Sequence, residues 1–115
     1  MRSLFYALVL AAAPFVAQAG ETVTYTINGE SFEGYRAKVP GPSKGLVLVI
    51  HDWDGLNEYE FKRADMLAEM GYDAFAVDLY GKGNRPVETG AKKAETGKLY
   101  KNRERMRSLI LGGLE

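Results

Sequence analysis

The sequence predicts an α/β fold, and three observations predict it. Two continuous aliphatic runs, Gly45–Ile50 and Ala74–Val77, have the unbroken apolar character of strands covered on both faces, as in a parallel sheet. Between them Phe61, Ala64, Leu67 and Ala68 recur on one helical face. Ahead of both runs stands an alternating segment that ends in Asn28-Gly29, the signature of a tight hairpin turn. Hairpin, strand, helix and strand in this order make a β-hairpin followed by a βαβ unit, whose crossover should be right-handed.

The elements follow in chain order. Residues 1–19 read as a secretion signal: Arg2 supplies a positive start, Leu4 to Ala13 an apolar run, and Ala17-Gln18-Ala19 a small-residue cleavage motif. The run is shorter than the ~20 apolar residues a membrane span needs, and Pro14 interrupts it. Cleavage before Gly20 would leave a mature domain of residues 20–115 in a bacterial periplasm or outside the cell, with no second apolar stretch to hold it in a membrane. Val23, Tyr25 and Ile27 alternate with threonines as a half-buried strand does. The return strand is expected from about Phe32 to Val39, with Gly34 a candidate bulge where the alternation slips. Pro40-Gly41-Pro42-Ser43 then ends it as a linker. Asn57-Glu58-Tyr59-Glu60 has the form of a helix-capping arrangement, and Gly71 closes the helix. Beyond Leu79 a turn-rich stretch leads to a polar, basic segment, and Met106, Leu109, Ile110 and Gly113 mark a further amphipathic helix.

Composition narrows the function classes. The 115 residues carry a formal net charge of zero, so no global field draws in nucleic acid or anionic lipid. The absence of cysteine excludes a disulfide framework, a thiolate metal site and a cysteine nucleophile within these residues. Charge is nonetheless sorted along the chain: Lys82 to Arg107 holds nine basic and three acidic residues, and His51 to Asp78 eight acidic and two basic ones. Two solvated faces account for this, and a basic partner-binding surface is the other reading.

Chemical signals concentrate at His51-Asp52-Trp53-Asp54-Gly55, at the carboxyl end of the first buried strand, where open α/β sheets bind ligands. A catalytic loop, a structural turn and a metal site all fit such a cluster. The calcium reading of Asp52-x-Asp54-Gly55-x-Asn57 is weakened because Gly55 is misplaced for an EF-hand loop and no distal glutamate completes it. Gly81-x-Gly83 follows a strand, but Pro86 occupies the third position of a dinucleotide-binding fingerprint. Neither a metal nor a cofactor is therefore expected.

The stretch Lys44-Gly45-Leu46-Val47-Leu48-Val49-Ile50-His51-Asp52-Trp53-Asp54-Gly55-Leu56-Asn57, together with the Asn28-Gly29 hairpin and Gly71-Tyr72-Asp73-Ala74-Phe75-Ala76-Val77-Asp78-Leu79-Tyr80, resembles the amino-terminal half of the dienelactone hydrolase family. The resemblance implies the amino-terminal portion of an α/β-hydrolase fold, acting on small ester or lactone substrates through a Cys or Ser nucleophile with Asp and His. That nucleophile sits in a G-x-S-x-G type turn, and the acid and the histidine follow it in the chain. No such motif occurs here: Gly29-Glu30-Ser31-Phe32-Glu33 has Glu33 where glycine is required, and Ser31 reads as turn chemistry.

By the same resemblance the backbone amide of Trp53 is the oxyanion donor of the loop after the first buried strand. Asp52 stands where the family has an acid that contacts the nucleophile, usually a glutamate one methylene longer. His51 comes too early to be the triad base and is read, with Gly55, as structuring the loop. Tyr80 is a pocket wall or packing residue. Lys82 stands where well-known members have a carboxylate-binding arginine, retaining the charge without the bidentate fork. The segment is thus expected to be a piece of an exported hydrolase lacking nucleophile, acid and histidine, inactive alone and prone to self-association through an incomplete sheet. The alternative is a non-catalytic exported binding or interaction protein that uses the basic stretch.

Overall fold

The structure is a computed structural model and describes residues 20–114, so the leader read at residues 1–19 lies outside the described residues. Strands β1 (Glu21–Ile27) and β2 (Glu30–Ala37) form the hairpin, and Asn28 and Gly29 turn it with φ of 51° and 82°. Two successive positive φ values match the right-handed twist of the flanking strands, which is why Asn-Gly serves here.

The expected bulge at Gly34 is absent. Pairing runs unbroken from Glu21↔Arg36 to Ile27↔Glu30. The alternation slips because β2 is covered on both faces, with Phe32 buried on one and Tyr35 and Ala37 on the other. Gly34 is instead a point of close approach: a Cβ there would lie 2.5 Å from Phe75 Cζ and 2.7 Å from the Ala76 carbonyl oxygen. Only glycine lets the Phe75 ring lie that near the strand.

Strands β3 (Leu46–Val49) and β4 (Asp73–Ala76) are parallel, as a βαβ unit requires, and helix α1 (Glu58–Glu69) connects them. The sheet as a whole is mixed, in the order β1-β2-β4-β3, because β4 also pairs antiparallel with β2. This ordering corrects one expectation. Among the described residues β4 is a covered interior strand, as β2 is, whereas β3 is an edge whose Leu46 is 52% exposed.

The ends of α1 obey local chemistry. The Asn57 side chain accepts from the Tyr59 amide while Glu60 reaches back to the Asn57 amide at 3.0 Å, a reciprocal cap. At the other end Gly71, with φ 100°, returns its amide to the Ala68 carbonyl and Tyr72 returns its own to Leu67, satisfying the last carbonyls. Phe61, Ala64, Leu67 and Ala68 pack on Tyr35, Ala37, Ala74 and Ala76 on one face of the sheet.

The opposite face is covered by α2 (Thr89–Lys101) and α3 (Arg103–Gly112), through a cluster of Phe32, Phe75, Val77, Leu79, Leu99 and Leu109. The sequence points to α3 through Met106, Leu109 and Ile110 but gives no sign of α2. Only Leu99 of α2 is buried, so no apolar stripe marks it. None of the helices among the described residues is long and apolar enough to cross a membrane.

Candidate functional site

The carboxyl ends of β3 and β4 open into a cleft of about 280 Å³, lined by Ile50, His51, Asp52, Trp53, Leu79 and Tyr80 from the sheet side and by Thr96, Leu99, Tyr100 and Met106 from the helices. A second cavity of about 220 Å³ lies at the opposite strand ends, between Arg36, Lys38, Leu46 and Gly113, and none of the candidate site residues read in the sequence lines it. Ligands of open α/β sheets bind at the carboxyl edge, so the first cleft is the candidate site.

His51 ties the two strand ends together. Its Nε2 lies 3.0 Å from the Leu79 amide and its Nδ1 2.7 Å from the Asp52 carbonyl oxygen. An amide can only donate and a carbonyl can only accept, so the network assigns the proton to Nδ1 and leaves Nε2 as acceptor. Both ring nitrogens are spent on backbone, and the ring is buried in an edge-to-face contact with Tyr80 at 4.7 Å between centroids.

The loop that follows is a turn closed by the Gly55 amide on the Asp52 carbonyl at 3.1 Å. Asn57 Nδ2 adds bonds to Asp54 Oδ2 and to the Gly55 carbonyl. Tyr80 donates its hydroxyl to the Trp53 carbonyl at 2.8 Å and meets Thr96 Oγ1 of α2 at 3.0 Å. Burial is the main cause that pushes the Tyr80 phenol above its ordinary value, so it remains a proton donor. Lys92 stands over the Trp53 ring at 5.5 Å, a cation–π contact from the helix to the loop. The carbonyl of Trp53 is thus held, while its amide forms no hydrogen bond among the described residues. The Asp52 side chain is exposed.

Gly55 has φ 86°, and a Cβ on it would lie 3.3 Å from both the Asn84 carbonyl oxygen and Tyr80 Cδ2. Backbone strain and crowding act together here. Gly55→Ala is expected to destabilise the protein by about 1–3 kcal/mol, measured as a shifted midpoint in urea. No shift would show that the turn relaxes freely.

The residue that organises the second strand end is Asp78, which sequence reading used only as part of a motif. It is fully buried. Its Oδ2 accepts from the Glu33 amide at 2.9 Å, and its Oδ1 accepts from the Tyr80 and Gly81 amides, each at 3.0 Å, and from Arg85 Nη1 at 3.4 Å. Arg85 also caps the Gly81, Asn84 and Glu33 carbonyls. An acidic residue at a strand end followed seven residues later by arginine is too common a pattern to announce such a centre.

Lys82, by contrast, is exposed, outside the cleft lining, and tied through its amide to the Ser31 carbonyl at 3.0 Å. The basic stretch is divided among several tasks: Arg85 pairs with Asp78, Lys98 with Glu95, and Arg105 with Glu30. Among the described residues no three His, Asp or Glu side chains converge on a point that would hold a metal ion.

Residues 32–111 match the dienelactone hydrolase family. The chain belongs to that family. Among solved structures, a protein designated m3DLH superposes with a TM-score of 0.72 at 26% identity, over 83% of this chain and 42% of its own. A dienelactone hydrolase-like promiscuous phosphotriesterase from metagenomic libraries gives a TM-score of 0.68 at 25% identity, over 83% of this chain and 41% of its own. This family member therefore spans about two fifths of the length of those relatives. No curated protein matches the sequence. Its four-stranded mixed sheet and flanking helices are the amino-terminal portion of the dienelactone hydrolase α/β fold.

Proposed function

We propose that this family member forms the oxyanion loop and one pocket wall of an exported, periplasmic or secreted hydrolase that cleaves small-molecule esters or lactones through a covalent acyl intermediate. The observation that carries the reading is the Trp53 amide. It lies at the carboxyl end of β3 on a loop fixed by His51, Gly55 and Tyr80, and it has no hydrogen-bond partner among the described residues. A preorganised donor left unpaired beside an apolar cleft suits a developing carbonyl oxyanion, because it needs no reorganisation at the moment of reaction.

In this reading the attacking nucleophile, its acid and its histidine are supplied by residues other than these 115, since no G-x-S-x-G or G-x-C-x-G turn occurs among them. Attack of the nucleophile on the carbonyl carbon moves an electron pair onto oxygen, to which the Trp53 N–H donates, and collapse forms the acyl bond and expels the alkoxide, which takes the proton the histidine removed from the nucleophile. Asp52, exposed and lining the cleft, serves as the acid that contacts the resting nucleophile. Tyr80 forms the wall and holds the peptide that follows through the Trp53 carbonyl, while the donor peptide itself is positioned through the Asp52 carbonyl by His51 and the Gly55 amide. Lys82 lies outside the cleft, so substrate contact is assigned to Tyr80 in its place.

Two outcomes test the division of labour. The purified chain, incubated with an activated aryl ester and a serine-directed covalent probe, is expected to show no turnover and no labelling. Stoichiometric labelling of Ser31, Ser43 or Ser108, with turnover lost on its replacement by alanine, would sink the proposal. The same chain is expected to self-associate through the outer edge of β3, where Leu46 and, just beyond, Ile50 are 52% and 46% exposed. Light scattering should report oligomers that Leu46→Lys disperses, and a monodisperse monomer would count against an open edge.

A further inference from the structure

The Gly20 nitrogen donates to the Tyr35 hydroxyl at 2.9 Å, and that hydroxyl donates in turn to Asp65 Oδ1 at 2.7 Å. Tyr35 is fully buried and stacked on Phe61 at 4.5 Å between centroids, which fixes the phenol in place. Burial first, and then the bond to Asp65, push its phenol up to about 12, so it stays protonated. Its single proton is committed to the carboxylate, and its lone pairs are left for position 20. That position has no room for a side chain, because a Cβ on Gly20 would overlap the Arg36 carbonyl oxygen and lie 2.8 Å from Tyr35 Cζ. In the sequence, Gly20 is the first residue after the small-residue motif Ala17-Gln18-Ala19. A cleavage pattern and a receptor for one backbone nitrogen therefore meet at the same atom.

We infer that Tyr35 and Asp65 form the docking site for a new chain terminus at Gly20, created when a leader-processing peptidase hydrolyses the Ala19–Gly20 bond. Water adds its oxygen to the Ala19 carbonyl carbon, the C–N bond breaks, and Ala19 leaves as a carboxylate. The Gly20 nitrogen departs as an amine and takes up a proton near neutral pH, since an α-amino group ordinarily titrates at about 7.7–8.0. The ammonium has three N–H groups where the amide had one. One remains on Tyr35, and the positive charge is answered through the phenol by the Asp65 carboxylate. The other charges around position 20 are Glu21 and Arg36, which pair with each other, and the exposed Lys38. Cleavage one residue later deletes the donor, and cleavage one residue earlier moves the charge away from the phenol, so the site selects a single register.

The test uses the full chain exported from a bacterial host, its terminus read by sequencing and intact mass, and its α-amine labelled near pH 7 with a limiting acylating reagent. The chain is expected to begin at Gly20, and its α-amine to react about tenfold more slowly than in Tyr35→Phe or Asp65→Asn, a tenfold change corresponding to one pKa unit of free amine. Asp65→Asn retains the packing, so faster labelling with an unchanged thermal midpoint separates loss of the charge relay from unfolding. A terminus at any other residue overturns the inference on the unaltered chain alone. Equal labelling in parent and Asp65→Asn overturns it as well, whether or not Tyr35→Phe folds.

Discussion

Asp78→Ala is expected to cost about 3–5 kcal/mol, the range for breaking a buried charge pair by removing one partner. That is a large share of the roughly 5–15 kcal/mol that stabilises an ordinary domain. The carboxylate is fully buried and answers the Glu33, Tyr80 and Gly81 amides and the Arg85 guanidinium. Deleting it orphans three backbone donors and leaves Arg85 without its carboxylate. The damage should spread to the cleft, because the Leu79 amide that holds His51 is the next residue in the chain. Circular dichroism during urea titration reads the effect. Asp78→Asn, which preserves one acceptor oxygen, should fall between the parent and the alanine variant. A cost below 1 kcal/mol for alanine would mean that water or a rearranged loop replaces the carboxylate.

Removing the Trp53 amide proton is expected to lower kcat by about 10²–10³-fold, the usual loss of one oxyanion donor. The measurement calls for a chimera in which residues 20–114 replace the matching segment of m3DLH, so that a complete hydrolase carries this loop. Trp53→Pro deletes the N–H, and so does replacing the Asp52–Trp53 amide with an ester, which leaves the indole and the turn intact. Trp53→Ala retains the amide and should lose less than about tenfold, mostly in KM, because it removes only a pocket wall. Equal losses in kcat for the alanine and ester variants would assign the contribution to the ring and refute the backbone role.

Much of the fold is legible in the sequence. Asn28-Gly29, the Asn57–Glu60 cap and Gly71 are local signals: each satisfies or bends backbone within a few residues, and each appears where the sequence puts it. The parallel pair β3 and β4 was legible because continuous aliphatic runs separated by one helix have few other solutions. Helix α2 was not. A helix that buries Leu99 alone is stabilised by its neighbours, and its own residues carry no period to read.

The sequence by itself determined the α/β class, the family, and the position of the candidate loop at the end of a buried-type strand. Those depend on patterns within short windows, and the His51 to Gly55 cluster is contiguous. Only the tertiary structure decided that, among the described residues, β4 lies inside the sheet and β3 at its edge, since strand order depends on which strands pair across the whole sheet. It alone revealed Asp78 beside Glu33 and Arg85, His51 beside the Leu79 amide, and Asp65 beneath Tyr35. These contacts join residues up to 45 positions apart. A hydrogen bond at that separation depends on how the sheet and its helices pack, which no local pattern encodes.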